Sequence, residues 1–286
     1  MHAYLIIAHN EFEVLQKLVG ALDDPRNDIY IHFDKKVSEL PHLEVKCSNL
    51  YICRKRIDVH WGDISQLKAE YVLWEEAYRP GKYTYYHMIS GTHFPLKSQN
   101  ALHSFFDSTG NGIVLQRMET GEGEIDLKLR RISICLGHYN SENRFVRTLS
   151  QFIWKIFLRI QYVCGYGRNR QCVFRKSSQW CSLTEEAVAW MLSVKREVLR
   201  KYRYSFCGDE FFVYSELYDS SLKNRIYDCD KLLKCDFYRT GPIVYGSSDY
   251  GRLVTSDCLF ARKFSASDLA IVDRLREHYD ADGNLS

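Results

Sequence analysis

The first hundred residues alternate between short apolar runs and segments whose apolar residues recur at helical spacing. Runs rich in β-branched and aromatic residues predict buried strands, and apolar residues three and four positions apart predict helices. This pattern predicts strands at 3–8, 28–33, 50–52 and 85–89, and helices at 11–21, 65–78 and 99–106, with Ser65 capping the second helix. Strands that alternate with helices are typical of an α/β fold with a mainly parallel sheet flanked by helices.

The fourth predicted strand stops abruptly at Ser90-Gly91, and the turn Phe94-Pro95-Leu96 follows it. Gly91 is predicted to use backbone torsions that are closed to other residues, and Pro95 fixes the chain direction beyond it. A strand that ends in such a turn before a helix is how an α/β sheet forms a binding crevice at the carboxyl ends of its strands. We therefore expect a site near Gly91.

A longer apolar segment, FVRTLSQFIWKIFLRIQYV at 145–163, has a helical pattern that Arg147, Lys155 and Arg159 interrupt. These charges exclude a membrane span. Two interpretations stay open: a helix of the core, or a basic amphipathic helix that lies on an anionic membrane. The sequence then predicts a strand at 181–183 and a helix that Thr184 opens.

The net charge of +3 hides a strong asymmetry, because residues 127–176 contain eleven Lys and Arg against one Glu. A local excess of ten positive charges indicates an anionic partner, which could be a phosphate-bearing substrate, a lipid head group or nucleic acid. A solvated surface helix is the alternative. Nucleic acid is disfavoured, because the basic residues are not interleaved with any known nucleic-acid-binding pattern.

Ten cysteines occur at irregular spacing without a Cys-x-x-Cys pair, which favours reduced thiols over a disulfide scaffold. The first apolar run is too short for a signal or membrane anchor and lacks a basic leader. Both observations predict a cytoplasmic protein.

The segment SFCGDEFFV at 205–213 could provide catalysis. Gly208-Asp209 predicts a helix start with Glu210 in the first turn, where the helix dipole favours an ionised carboxylate. Flanking Phe residues would keep water scarce, and a charged carboxylate in such a site is a good general base toward a sugar hydroxyl. A favourable helix start without catalytic function is the alternative interpretation.

Separate blocks along residues 4–279 resemble, in the same order, those of the Core-2/I-branching β-1,6-N-acetylglucosaminyltransferases. This is glycosyltransferase family 14, which also includes the peptide O-xylosyltransferases. The blocks are AYLIIAHNE, IYIHFDKK, VHWGDISQLKAE, SGTHFPLKS, SQWCSLTEEAV, GDEFF and LFARKF. The resemblance implies a GT-A-like single domain over 1–286, with a nucleotide-sugar-binding half at 1–120 and an acceptor and catalytic half at 121–286.

The resemblance also implies roles for individual residues. Glu210 would be the catalytic base, and the donor would be held by Ala8, His9, Asn10, Asp34, Trp61, Arg239 and Lys263. Further substrate contacts would come from Gly91, His93, Trp180 and Asp209. The chain departs from the family pattern at His93, where the family has Asp, at Gly208, where it has Pro, and at Thr184-Glu185, where it has Ser-Arg. Because the spacing from Arg239 to Lys263 is slightly off, Arg252 is a rival for the diphosphate.

The implied reaction is a single displacement with inversion at the anomeric carbon, in which Arg and Lys stabilise the departing diphosphate. No metal and no cofactor are expected, and the Asp-x-Asp match at 228–230 falls too late in the chain for a nucleotide-site metal. The donor would be UDP-GlcNAc, with UDP-xylose as the alternative, and the acceptor a glycan or lipid-linked glycan. We expect a bacterial enzyme of surface polysaccharide synthesis, cytoplasmic and in peripheral contact with the inner face of the membrane through 145–176. A non-catalytic carbohydrate- or anion-binding module is the competing class.

Overall fold

A seven-stranded sheet forms the centre of the molecule, whose computed structural model describes residues 1–239 and 241–283, with side chains up to residue 280. The described residues form fourteen strands, of which seven belong to this sheet. The strands are β1 (His2–Ala8), β2 (Asn27–Phe33), β3 (Asn49–Ile52), β4 (Tyr85–Ser90), β5 (Phe94–Pro95), β6 (Ile113–Leu115), β7 (Arg117–Met118), β8 (Lys176–Ser177), β9 (Ser182–Thr184), β10 (Ile226–Asp228), β11 (Leu233–Lys234), β12 (Phe237–Tyr238), β13 (Gly241–Pro242) and β14 (Phe260–Ala261). The central sheet has the strand order β10-β6-β9-β4-β1-β2-β3.

Helices cover the sheet and connect its strands. They are α1 (Phe12–Leu22), α2 (Ser65–Tyr78), α3 (Gln99–Ser108), α4 (Glu122–Ile125), α5 (Arg144–Val163), α6 (Glu185–Ser193), α7 (Lys195–Tyr202), α8 (Phe212–Tyr218), α9 (Tyr250–Val254) and α10 (Ala270–Gly283). A short π-helical segment at Asp126–Arg130 extends α4, and a single 3₁₀ turn at Gly208–Glu210 precedes α8.

The sheet is mainly parallel, because β1, β2, β3 and β4 all run in one direction and β9 is antiparallel to both of its neighbours. The side chains of β2 and β4 are buried throughout. Continuous burial is expected for parallel strands that helices cover on both faces. The predicted α/β fold with a mainly parallel sheet flanked by helices is confirmed.

Helix α2 differs from its prediction in two respects. It is buried on most of its circumference, including Tyr71, Trp74 and the carboxyl-bearing Glu70, so it is not simply amphipathic. Ser65 is the first helical residue and not the cap, since Ile64 occupies the cap position. The Ser65 hydroxyl instead accepts a hydrogen bond from the His60 backbone N–H at 2.8 Å. This contact ties the preceding loop to the start of the helix.

One hydrophobic cluster extends from Ala3 to Tyr279 and draws on both halves of the chain. A second, smaller cluster consists of Leu136, Trp154, Leu158, Phe206 and Cys207. It packs the inner face of α5 against the segment that leads into the Gly208–Glu210 turn. The helix at 144–163 therefore belongs to the surface next to that turn.

The remaining element predictions hold at most boundaries. The predicted helix at 99–106 is α3, which Ser98 caps by accepting from the Ala101 N–H, and Thr184 caps α6 as predicted. The predicted helix start at Gly208-Asp209 is wrong, because these residues form a 3₁₀ turn and α8 begins only at Phe212. None of the helices among the described residues is long and apolar enough to cross a membrane.

The loop before α2 depends on Gly62, whose φ of +73° lies in the left-handed region. A Cβ at this position would lie 2.7 Å from Cε2 of Phe206. Both the backbone torsion and the contact oppose any side chain here. We expect Gly62→Ala to lower the free energy of unfolding by about 1–3 kcal/mol, measured by urea denaturation.

The matched control is Gly251→Ala in α9, where no atom lies within 4 Å of the new Cβ. That variant should be as stable as the wild type or slightly more stable, by about 0.5–1 kcal/mol. Equal unfolding midpoints for Gly62→Ala and the wild type would contradict the assignment of strain to this loop.

Candidate active site

Three neighbouring parallel strands end at one edge of the sheet. The register pairs Ala8 of β1 with Phe33 of β2, and Ile7 of β1 with Ser90 of β4. Backbone hydrogen bonds continue past the strands, since the Asp34 N–H donates to the Ala8 carbonyl and the Gly91 N–H to the Ile7 carbonyl, both at 2.9 Å. The residues that follow each strand, including the predicted donor residues His9, Asn10 and Asp34, therefore lie at the same edge. This is where open α/β sheets bind ligands.

Asp34 is almost fully buried and already has fixed partners. Its carboxylate accepts from the Lys36 N–H at 2.8 Å and from the Lys36 ammonium at 3.0 Å. The Val59 N–H donates to the same carboxylate at 3.2 Å. Lys36 also pairs with Asp58 at 2.7 Å, so it links the β2 edge to the loop before α2. The sequence interpretation did not identify this bridging function of Lys36.

Gly91 does not adopt the special torsion that the sequence predicts, because its backbone lies outside the left-handed region. The reason for a glycine here is close approach: a Cβ would lie 3.2 Å from Cβ of Ala8. This contact is tighter than ordinary van der Waals packing. Gly91 thus keeps the ends of β1 and β4 together, and its own atoms are buried.

His93 is fully buried behind Trp180. Its Nδ1 accepts from the Ser90 N–H at 3.0 Å, and the two rings pack edge to face at 4.8 Å. Burial, and then the charge of Arg262, lower the pKa of His93 well below its ordinary value, so the ring is neutral. Its Nε2 has no partner among the described residues. In this arrangement His93 supports Trp180 from within rather than facing the crevice.

Lys263 is one of the cations that the resemblance implies for the diphosphate, and it lies two residues after the end of β14. Its ammonium forms no ion pair with any described residue. Partial removal from water, and then the charge of Lys263, lower the pKa of the His9 imidazole, although the ring keeps an exposed edge. The charge of Lys263 thus acts on His9, which directly follows β1 at the edge of the sheet.

Arg262 adds a second positive charge that the sequence interpretation missed. Its guanidinium lies 5.1 Å from the centre of the Trp180 ring, and burial lowers its pKa. Among the described residues no carboxylate pairs with it, and its Nε lacks a hydrogen-bond acceptor. Arg262 is half-buried and its side chain contacts Cys235, so with no carboxylate partner it would favour an anion bound nearby.

Arg239 and Arg252 differ in their partners. Arg252 pairs with Asp249 at 3.0 Å and with Asp236 at 3.4 Å. Arg239 lies after β12, is exposed, and has no ion pair within the described part of the chain. The segment after β13 is tied to Lys263, because the Tyr245 N–H donates to the Lys263 carbonyl at 2.9 Å. The geometry favours Arg239 over Arg252 as a cation free to meet a ligand.

The loop at Trp61 joins the sheet edge to the turn that contains Glu210. Trp61 is 50% exposed and packs edge to face against Phe206 at 5.3 Å. The Cys207 N–H donates to the Gly62 carbonyl at 2.9 Å. An exposed aromatic ring at the crevice is suited to stack on a base or a sugar.

Glu210 is held by lysine rather than by a helix dipole. Its Oε2 lies 2.7 Å from the Lys128 ammonium and 3.6 Å from the Lys176 ammonium. Burial acts to lower the pKa of Lys128, but the carboxylates of Glu210 and Glu124 outweigh burial and raise it. The Oε1 of Glu210 has no partner among the described residues, and the side chain is 32% exposed. One oxygen is therefore fixed and the other is available.

Glu124 completes this group, because it pairs with Lys128 at 2.8 Å and with Lys176 at 2.7 Å. Its own burial opposes ionisation, but bonds to the two lysines lower its pKa to about 2. These pairs also change the interpretation of the basic segment at 127–176. Four of its eleven cations are paired with Glu122, Glu124 and Asp126, which lie just before it, and with Glu210. The unpaired positive charge is concentrated on α5.

Asp209 points inward beside Glu210. It is 8% exposed, Oδ2 accepts from the Gln66 amide at 3.4 Å, and burial followed by the charge of Glu210 raises its pKa to about 7. The fully buried Glu70 lies close enough to interact with it electrostatically, and burial raises the pKa of Glu70 well above its ordinary value. The Gln179 amide donates to Glu70 at 3.0 Å.

Within residues 1–239 and 241–280 no group of three or more His, Cys, Asp and Glu side chains is arranged to hold a metal ion. The Asp-x-Asp match starts at Asp228, at the end of the outermost strand β10, where its carboxylate accepts from the Arg117 N–H at 3.0 Å. Three strands, β6, β9 and β4, lie between β10 and β1 in the sheet order. Independence from metal stays a prediction.

Comparison with known proteins agrees with the resemblance in the sequence. The model of the Core-2/I-branching enzyme family matches residues 2–227. A beta-1,3-galactosyl-O-glycosyl-glycoprotein beta-1,6-N-acetylglucosaminyltransferase 4 from Danio rerio is 28% identical over 106 residues, or 35% of this chain and 25% of that protein. The corresponding transferase 3 from Rattus norvegicus is 28% identical over 102 residues, or 34% of this chain and 23% of that protein. The matches thus span about a quarter of the length of these curated relatives.

Among solved structures, mouse xyloside xylosyltransferase 1 aligns over 91% of this chain and 97% of its own, with 9% identity and a TM-score of 0.39. That likeness is too distant to support an inference about function. The family match is different, because it extends over residues 2–227 and includes β1, β2 and β4, whereas Arg239 and Lys263 lie beyond it. The chain belongs to the Core-2/I-branching enzyme family.

Proposed function

We propose that this protein transfers GlcNAc from UDP-GlcNAc to a hydroxyl of a glycan acceptor by a single inverting displacement without a metal. The observation that supports it most is the asymmetry of Glu210, which has one oxygen held by Lys128 and the other unpartnered at a partly exposed surface. A base needs this arrangement: a fixed position and a free lone pair directed at the acceptor.

The attacking hydroxyl must lose its proton as it bonds to the anomeric carbon. Glu210 Oε1 would accept that proton, and Lys128 would limit the basicity of the carboxylate, because a neighbouring cation favours the ionised form. Lys128 also fixes the side chain, so less orientational freedom is lost when the acceptor binds. The exposed Trp61 ring beside this turn offers a stacking surface for the donor or acceptor.

The departing UDP gains negative charge as the glycosidic bond breaks. Lys263 has no carboxylate partner among the described residues, and its charge acts on His9 at the sheet edge. Arg239, which the resemblance implies as its partner at the diphosphate, is exposed and likewise forms no ion pair with a described residue. The half-buried Arg262, next to Lys263 in the chain, adds a third positive charge. Fixed cations stabilise the diphosphate most as its charge develops, which lowers the barrier to transfer. Arg is suited to bind phosphate oxygens in a bidentate manner.

The donor sugar is proposed as GlcNAc because both relatives from Danio rerio and Rattus norvegicus are named as N-acetylglucosaminyltransferases. UDP-xylose is the alternative that the family resemblance leaves open. A UDP-release assay with a panel of UDP-sugars in excess EDTA separates the two and tests the proposal as a whole. Release from UDP-GlcNAc alone supports it, and no release from any donor in the presence of mixed glycan acceptors would indicate a binding module instead.

Glu210→Gln should abolish transfer and leave UDP-sugar affinity nearly unchanged, because the amide keeps the shape of the side chain but cannot accept the proton. Turnover and binding are measured by UDP release and by calorimetry. Glu124→Gln is the matched control, since it removes a carboxylate from the same two lysines without touching the proposed base. Turnover of Glu210→Gln within a few-fold of the control would exclude Glu210 as the base.

Lys263→Ala and Arg239→Ala should each weaken UDP binding and slow turnover, because both cations would contact the diphosphate. Loss of one charge-assisted contact in a partly buried site costs about 1.5–3 kcal/mol, which is roughly a tenfold to hundredfold change in affinity. Arg252→Ala is the control, since its guanidinium is already paired with Asp236 and Asp249. A large effect of Arg252→Ala together with a silent Arg239→Ala would reverse the assignment of the diphosphate ligand.

The buried pair Glu70 and Asp209 makes the turn beneath Glu210 sensitive to pH. Both carboxyl groups have a higher pKa in the folded protein than when exposed, about 7 for Asp209 against an ordinary 3.8. The folded state therefore binds these protons more tightly than the unfolded state. The contribution of Asp209 to stability is full below about pH 4 and is lost as the pH rises through about 7. The contribution of Glu70 is likewise lost only as the pH rises through its raised pKa.

In the wild type the free energy of unfolding should decrease as the pH rises from 5 to 8. Glu70→Gln should reduce the slope of this decrease by at most about 1 kcal/mol per pH unit. The measurement is urea unfolding at each pH. Glu76→Gln on the same helix, where Glu76 forms a surface pair with Arg79, should keep the wild-type slope. Identical slopes for the two variants would show that Glu70 ionises normally.

A further inference from the structure

Helix α5 turns its apolar residues away from the protein. The side chains that it buries are Ser150, Trp154, Leu158 and Gln161. The outward face carries Phe145, Leu149, Phe152, Ile153, Ile156, Ile160 and Val163, which are between 38% and 78% exposed. Soluble proteins seldom leave a continuous apolar surface of this kind open, so it indicates a docking surface.

The apolar face has a basic border. Arg144, Lys155 and Arg159 are separated by eleven and four residues, close to whole numbers of helical turns, so they lie along one side of the apolar face. None of them forms an ion pair with a described residue, whereas the neighbouring cations Arg131 and Lys128 are paired. The free positive charge of the middle segment is therefore on the same helix as the exposed apolar residues.

Cations beside large apolar side chains match the surface of an anionic lipid bilayer. The apolar residues can enter the boundary between head groups and acyl chains while Lys and Arg contact the phosphates. A second copy of this chain fits less well, because a symmetric contact between two α5 helices would bring their basic borders together. We propose that the outward face of α5 docks this protein on an anionic membrane.

The inner face of α5 connects the docking surface to the candidate active site. The Trp154 ring packs on Phe206 at 5.3 Å, and Phe206 in turn contacts Trp61 at 5.3 Å. Phe206 and Cys207 lead directly into the Gly208–Glu210 turn. The small cluster that contains Trp154 and Phe206 thus links the helix to the segment before the turn, so docking would hold Glu210 near the membrane surface. An acceptor presented at that surface would then reach Glu210, a consequence that rests on the proposed function.

Docking itself is tested without any activity, by sedimentation with vesicles of phosphatidylcholine and phosphatidylglycerol in equal parts, against vesicles of phosphatidylcholine alone. The wild type should pellet with the anionic vesicles and be released at high salt, because salt screens the attraction to head groups. The double variant Phe152→Ser/Ile156→Ser should lower the partition coefficient by at least about tenfold. The triple variant Arg144→Gln/Lys155→Gln/Arg159→Gln should also lower it by at least about tenfold at low salt.

The control variant Lys68→Gln/Arg196→Gln/Arg200→Gln loses the same charge from exposed positions of α2 and α7. It should bind anionic vesicles as the wild type does. Equal losses in the control and in the α5 triple variant would show a general charge effect and overturn the proposal. Failure of the wild type to pellet with anionic vesicles would also overturn the proposal. So would a dimer that forms without lipid, seen by analytical ultracentrifugation, and that the double variant Phe152→Ser/Ile156→Ser dissociates. Measured unfolding midpoints confirm that each variant is folded. A lack of UDP release would contradict the proposed function but would leave the proposed membrane contact standing.

Discussion

The parallel pairing of β1 with both β2 and β4 is the constraint on which the site depends. It places the carboxyl ends of three strands side by side, and the backbone hydrogen bonds of Asp34 and Gly91 extend that alignment beyond the strands. Residues distant in sequence then meet at one edge. Because a shift of one residue in register would turn each strand's side chains over, the buried pattern of the strands fixes the site as firmly as it fixes the core.

Charge pairing divides the cations of the chain into two groups. Lys128, Lys176 and Arg131 are matched to carboxylates, and they build a rigid surface around Glu210. Lys263, Arg239 and the cations of α5 have no such partner among the described residues. Paired charges near the surface contribute little to stability and mainly hold geometry, whereas unpaired ones are available to an anionic ligand. The proposed diphosphate site and the proposed membrane contact both depend on this second group.

The sequence predicts β1, β2, β3, β4 and β9 and the helices α1, α2 and α3, because each has a local pattern of apolar residues. It does not predict the other short strands, including β6 and β10 of the central sheet. It also predicts that residues after β1, β2 and β4 meet, because parallel strands share an edge. It does not predict the contacts of Glu210: Lys128 and Lys176 lie 82 and 34 positions away along the chain, and no spacing signals their meeting. The sequence overestimates the free positive charge of residues 127–176 for a related reason, since the carboxylates that pair with its cations lie just outside the segment.

The burial of Glu70 and His93 was equally invisible to the sequence. A polar residue in a helix or turn has no local signature that separates a solvated position from a buried one, because burial depends on elements that pack from elsewhere. The apolar pattern of α5 left two interpretations open for the same reason. The structure shows which side of the helix faces the protein, because Trp154 packs against Phe206.

Binding of a uridine diphosphate without a metal, by cations at the edge of β1, β2 and β4, is the step on which the proposed reaction depends. Calorimetric titration of UDP into the wild-type protein, first in excess EDTA and then with added Mn²⁺, measures this step. We expect saturable binding in EDTA and a dissociation constant that Mn²⁺ does not change. Binding that is absent in EDTA and appears only with Mn²⁺ would contradict it.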